Sequence, residues 1–279
     1  MPGIVDTDWL YAHVQAPDVK VVDASWYLPS AGRDPAAEYA AAHIPGAVRF
    51  DIEDIADTGS DLPHMLPSPE KFASRMRRLG LGDGSRFVVY DGGGMFAAAR
   101  AWWMFRVFGH EDVVVLDGGF PRWQAEGRPV ADLPGMPMQR HFTARVNTLL
   151  VRDLDGVRRA ITDGRTQIVD ARSAARFTGT EAEPRPGLRA GHIPGSFNVP
   201  HDTLLDPATG CLLPADALKA RFQGAGVDLA RPIVTSCGSG VSACLLALAL
   251  QVIGHRNCAV YDGSWAEWGA RADTEVALG

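Results

Sequence analysis

The first 210 residues of this 279-residue chain contain no cysteine, and the four that follow, Cys211, Cys237, Cys244 and Cys258, form neither a C-x-x-C pair nor an ordered Cys/His spacing. Zinc therefore fits poorly, and no metal is expected. The start, Met1-Pro2-Gly3-Ile4-Val5-Asp6, has no charged segment followed by an apolar run, and no later apolar stretch reaches membrane-spanning length. Without an export signal, disulfides are not expected, because the cytosol keeps thiols reduced; the chain reads as cytoplasmic. Positive charge is also in short supply, with 27 Lys and Arg against 33 Asp and Glu and a net charge of -6. That balance gives no footprint for nucleic acid, and no basic cluster beside an amphipathic helix suggests a membrane surface.

What is present is an ordinary globular composition, 46% hydrophobic and 22% charged, with 30 glycines. The length suits two domains of about 100 to 150 residues each. Laying the second half over the first exposes a duplication. Val21-Val22-Asp23-Ala24 matches Ile168-Val169-Asp170-Ala171, and Ala42-His43-Ile44-Pro45-Gly46 matches Gly191-His192-Ile193-Pro194-Gly195. Val88 to Gly94 aligns with Val234 to Gly240, and Gly109-His110 through Trp123 with Gly254-His255 through Trp268. The four blocks recur at offsets of 147, 149, 146 and 145 residues, so insertions between the copies are short.

Within each copy, β-branched runs such as Phe87-Val88-Val89-Tyr90 and Val113-Val114-Val115-Leu116 alternate with segments of helical period. This predicts an α/β fold in which each copy is a small, mostly parallel sheet with helices on both faces. The nearly apolar stretches 95–108 and 241–253 are expected to be helices packed deep against the sheets. Leu133-Pro134-Gly135-Met136-Pro137-Met138 reads as connecting chain, which gives a first copy over 1–135, a linker over 136–148 and a second copy over 149–279. Helices are expected near 6–14 and 153–162, the first capped by Asp6 or Thr7.

Cys237 stands between an expected strand at 232–235 and a helix beginning near Val241. Glycines at 238 and 240 let the backbone curl so that several N–H groups converge on one centre, an anion nest to which the helix dipole adds positive potential. Such a cradle favours thiolate over thiol and can hold a persulfide anion. An inert buried thiol needs no such lining. Cys244, inside the apolar helix, reads as a core thiol, and Cys211 and Cys258 show no nest. The position aligned with Cys237 is Asp91, which cannot carry sulfane sulfur, so the first copy is expected to be chemically silent and to wall one side of the second copy's cleft.

The doubled His-Ile-Pro-Gly, the Asp-Gly-Gly-Phe-Pro-Arg-Trp at 117–123 and the Cys-Gly-Ser-Gly-Val-Ser loop at 237–242 resemble the tandem rhodanese-domain sulfurtransferases over nearly the whole chain. The resemblance implies two rhodanese-like domains and a Cys237 nucleophile. It also implies a loop, Gly238, Ser239, Gly240, Val241 and Ser242, that receives substrate. Thiosulfate enzymes of this family commonly carry Arg and Lys where Gly238 and Ser239 stand here. Two cations suit a compact dianion, whereas a neutral loop with a hydroxyl suffices for a monocarboxylate, so the loop resembles the 3-mercaptopyruvate type. The family's substrate arginines fall on Arg176 and Arg185, each with a planar fork for carboxylate and carbonyl oxygens. A relay of Glu53, His64 and Ser239 is likewise implied, with Glu53 standing where the family usually has Asp. His43 and His192 recur in both copies, the silent one included, and are expected to be structural, as are Trp102, Trp103, Trp123 and Trp268.

The chemistry so implied is a two-step sulfur transfer, from a small-molecule donor to Cys237 and on to a thiol, thioredoxin or cyanide, with no metal or organic cofactor. Three alternatives stay open. One is a thiosulfate:cyanide sulfurtransferase. Another is a persulfide carrier without donor chemistry. The third is a cysteine-dependent phosphatase, disfavoured because Ala243 and Cys244 follow Ser242 where such a loop would end in arginine.

Overall fold

The computed structural model describes residues 3–133, 135 and 137–279; of the residues read as connecting chain, Pro134 and Met136 lie outside them, as do Met1 and Pro2. Among the described residues, ten strands form two five-stranded sheets. The first contains β1 (Ile4–Val5), β2 (Val19–Asp23), β3 (Val48–Arg49), β4 (Arg86–Tyr90) and β5 (Val113–Leu116), in the order β1-β5-β4-β2-β3. The second contains β6 (Val151–Arg152), β7 (Gln167–Asp170), β8 (Phe197–Asn198), β9 (Ile233–Ser236) and β10 (Cys258–Tyr261), in the order β6-β10-β9-β7-β8. Every pairing is parallel. The two orders are the same, which is the duplication seen in the sequence.

The central strands read as continuous apolar runs because both faces are covered. Val113–Leu116 and Ile233–Ser236 are buried at every position, as a parallel sheet between helix layers requires. The two apolar segments form helices over Phe96–Val107 and Ala243–Val252, the second buried from Ala243 to Leu250. Its first helical residue is Ala243, two later than Val241, because residues 237–242 are spent on the turn. Asp6 caps the helix Thr7–His13 by accepting from Trp9 N at 2.7 Å, and Asp153 caps Leu154–Asp163 by accepting from Gly156 N at 2.8 Å.

Two compact units follow the two copies, but their chain segments interleave. Unit 1 comprises Met1–Thr58, Leu66–Asn147 and Leu205–Leu212; unit 2 comprises Gly59–Met65, Thr148–Leu204 and Leu213–Gly279. The contiguous division at 135 and 149 changes accordingly. Chain between 137 and 147 packs on unit 1: Phe142 is 2% exposed, His141 O accepts from Asp83 N at 2.9 Å, and Arg145 and Asn147 donate to Phe108 O and Val107 O. Phe142 is the one buried side chain of the stretch 137–147, which otherwise lies along the first unit's surface. Leu205–Leu212 is tied to unit 1 through Leu212 N, which donates to Asp117 Oδ1 at 2.8 Å.

The recurrent histidines are structural in both units. His43 stacks on Tyr39 with ring centroids 4.3 Å apart and places Nδ1 2.7 Å from Tyr39 O; His192 stacks on Phe177 at 3.8 Å and places Nδ1 2.8 Å from Phe177 O. Their backbone N–H groups donate to Ala131 O and Ala277 O. Trp102, Trp103, Trp123 and Trp268 are all buried, Trp123 and Trp268 donating Nε1 to Pro129 O and Glu275 O.

Candidate active site

Strand β9 ends at Ser236, and Cys237 follows at 1% exposure. Its backbone is pinned on both sides. Cys237 N donates to Ser264 Oγ at 3.2 Å, the same hydroxyl donates to Tyr261 O at 2.8 Å, and Cys237 O accepts from Trp265 N at 2.9 Å. Gly238 O accepts from Ala266 N at 2.9 Å. Gly240 takes φ +75°, a left-handed conformation that a side chain would strain. Val241 and Ser242 offer their carbonyls to Cys244 N and Leu245 N, so they form the entry to the helix.

Unit 1 shows what this turn does with an anion. Asp91, 1% exposed, accepts from Gly93 N at 3.0 Å and Met95 N at 3.2 Å on Oδ1, and from Ala98 N at 2.9 Å on Oδ2. Its backbone carbonyl accepts from Phe120 N at 2.9 Å, as Cys237 O does from Trp265 N. Three backbone donors thus converge on the carboxylate in the turn that the duplication equates with the Cys237 loop. Burial still outweighs them and pushes the Asp91 carboxyl up to about 6.

The sequence-based site residues divide between the units. His64 belongs to unit 2, in the segment Gly59–Met65, with φ +61°, and its Nδ1 lies 3.1 Å from Ser239 Oγ. Both residues are buried. Reading His64 as a residue of the first copy is therefore revised: the chain carries it into the second unit. Glu53 stays in unit 1, where Oε1 accepts from Trp26 Nε1 at 2.8 Å.

Arg176 and Arg185 come together over Gly238. A Cβ built on that glycine would lie 3.1 Å from Arg176 Nη2 and 3.9 Å from Arg185 Nη1. Arg176 is bound to Glu183, through Nη2 to Oε2 at 2.5 Å and Nε to Oε1 at 3.2 Å. Arg185 makes no ion pair among the described residues. Sequence reasoning passed over Arg172, Glu183 and Ser264, all buried or nearly so; the one available signal was that Arg172 follows the Asp170 that ends β7. It also passed over Arg122, whose Nη1 lies 3.1 Å from the half-buried thiol of Cys211.

The Rhodanese-like domain family matches residues 6–126 and 153–271. The chain belongs to the rhodanese family. Among rhodanese relatives, the 3-mercaptopyruvate sulfurtransferase of Escherichia coli K12 is 46% identical over 98% of this chain and 96% of its own. The mitochondrial thiosulfate/3-mercaptopyruvate sulfurtransferase 1 of Arabidopsis thaliana is 45% identical, covering 98% and 77%. Of the solved structures, the crystal structure of SseA from Escherichia coli, described as a 3-mercaptopyruvate sulfotransferase of rhodanese fold, superposes with a TM-score of 0.87 at 42% identity, covering 95% of this chain and 99% of that one. This rhodanese is a sulfurtransferase with two tandem domains.

Proposed function

We propose that this rhodanese moves sulfane sulfur from 3-mercaptopyruvate through a persulfide on Cys237 to a thiol, thioredoxin or cyanide acceptor, with release of pyruvate. The observation that carries the reading is the pairing of Arg176 and Arg185 over Gly238, beside a cysteine whose loop is otherwise uncharged. Two guanidinium forks suit the carboxylate and ketone of a 2-keto acid. The Asp91 turn supports the rest, since it shows the same kind of loop holding a buried anion with backbone donors.

In the first step the Cys237 thiolate attacks the donor's sulfur. An S–S bond forms, the C–S bond breaks, and the electron pair leaves on carbon as the enolate of pyruvate. Ser239, with His64 behind it at 3.1 Å, supplies a proton route to that enolate. In the second step the acceptor attacks the outer sulfur, and Cys237 leaves as thiolate. The cycle needs a compartment that keeps Cys237 reduced, in line with the cytoplasmic location expected from the sequence. No cofactor takes part.

The test is intact mass after exposure to mercaptopyruvate, with Cys237→Ser alongside. The native protein should gain the mass of one sulfur atom and release pyruvate, and the variant should do neither. An unchanged native mass would sink the mechanism. Faster sulfite release from thiosulfate than pyruvate release from mercaptopyruvate would instead select the thiosulfate reading.

A further inference from the structure

Arg172 is a fully buried cation held on one side by the end of β7 and on the other by a carboxylate that also binds Arg176. Its Nε lies 3.1 and 3.0 Å from the two Asp170 oxygens and its Nη2 2.7 Å from Oδ2, so the carboxylate that ends β7 grips one edge of the guanidinium. Nη2 also donates to Gly191 O at 2.9 Å, and the plane lies over the Trp265 ring at 4.3 Å. Burial works against its charge, yet the Asp170 and Glu183 carboxylates more than offset that and raise its pKa. One direction remains, and there Nη1 donates to Glu183 Oε1 at 2.7 Å.

The Glu183 carboxylate is 2% exposed and forks between the two arginines. Oε1 accepts from Arg172 and from Arg176 Nε, while Oε2 accepts from Arg176 Nη2. One edge of Arg176 is thereby fixed, and Nη1 with the second N–H of Nη2 is left for a ligand. The four side chains, two carboxylates and two guanidiniums, sum to no net charge. The clamp's arginine has no counterpart in unit 1: Ser25 stands two residues after Asp23 where Arg172 stands two after Asp170. There Glu38 precedes the ring stacked on His43, as Arg176 precedes the ring stacked on His192.

We propose that Arg172 and Glu183 are positioning residues for sulfur transfer, holding Arg176 in the rotamer that meets the donor's carboxylate. The proposal rests on the reading of Arg176 as a donor-binding group. A long side chain freed from its clamp must be reordered each time substrate binds, which weakens binding without touching the reacting sulfur. The donor KM should therefore rise while kcat holds.

Glu183→Gln and Arg172→Lys, assayed for pyruvate release from mercaptopyruvate, should each raise KM about tenfold and leave kcat within about threefold of native. The decisive arm is a double-mutant cycle with Arg176→Lys. If Glu183 acts through Arg176, adding Glu183→Gln to Arg176→Lys should raise KM no more than about twofold further. A full tenfold further rise, or a fall in kcat with KM unchanged, would overturn the proposal by marking a general structural role. Should Glu183→Gln fail to fold, Glu183→Asp keeps the charge but draws it back by one methylene, and carries the same expectation in the same cycle. A native protein that releases no pyruvate would refute the functional reading itself, an outcome distinct from a native-like KM in the variants, which would refute only the clamp.

Discussion

Replacing Asp91 with asparagine removes a titration whose size and sign follow from the turn that holds it. Burial pushes this carboxyl from 3.8 up to about 6, against the pull of the Ala98, Gly93 and Met95 N–H groups. The folded protein therefore holds a proton that the unfolded chain, with its ordinary carboxyl, releases between about pH 4 and 6. Asp91 adds no penalty below pH 4, where both states are protonated. Stability then falls as pH rises through that window, and the full penalty stands above pH 6. A shift of about two pH units corresponds to about 3 kcal/mol. Asparagine does not titrate, so its altered hydrogen bonding adds only an offset independent of pH. Urea denaturation of native and Asp91→Asn protein from pH 4 to 7.5 should show the native protein losing about 3 kcal/mol relative to the variant by pH 7 and levelling off. A difference flat across that range, or one growing in favour of the native protein, would refute this account of the buried anion. The result also bears on catalysis, because it measures the net cost that burial leaves on an anion held by the backbone donors of a turn of this type.

Gly238→Ala should raise the donor KM several-fold at little cost in melting temperature, since the new methyl meets Arg176 Nη2 at 3.1 Å while Gly238 has no positive φ to lose. An unchanged KM would remove the two arginines from the binding step. Ser239→Ala and His64→Asn should each lower kcat for pyruvate release by about a hundredfold, and the double variant should be no worse than either alone, because the pair acts through one hydrogen bond of 3.1 Å. Stopped-flow transfer from preformed persulfide should be unaffected in both. Independent, multiplying losses would break the pair into two unrelated residues.

The duplication and the parallel sheets were legible in one dimension, and so was the turn that holds Cys237, for a local reason. Buried parallel strands must be continuous apolar runs, as at Val113–Leu116, and a strand-to-helix turn that passes through a left-handed residue favours glycine there, as at Gly240. Asp91 at the cysteine position distinguished the first copy from the second without any coordinates. Arg176 and Arg185 were legible only through family resemblance, since nothing in their spacing says that both lean over Gly238. The tertiary structure alone decided the rest. Leu205–Leu212 joins unit 1 and Gly59–Met65 joins unit 2, so His64 reaches Ser239 across 175 positions of sequence. Arg172 and Glu183 look like two more charges in a polar stretch, and only burial to 0% and 2% of their side chains makes them a clamp. Local sequence can encode a turn and a strand because their bonds join near neighbours. A charge acquires its role from which distant groups exclude water around it, and that is settled only when the chain has folded.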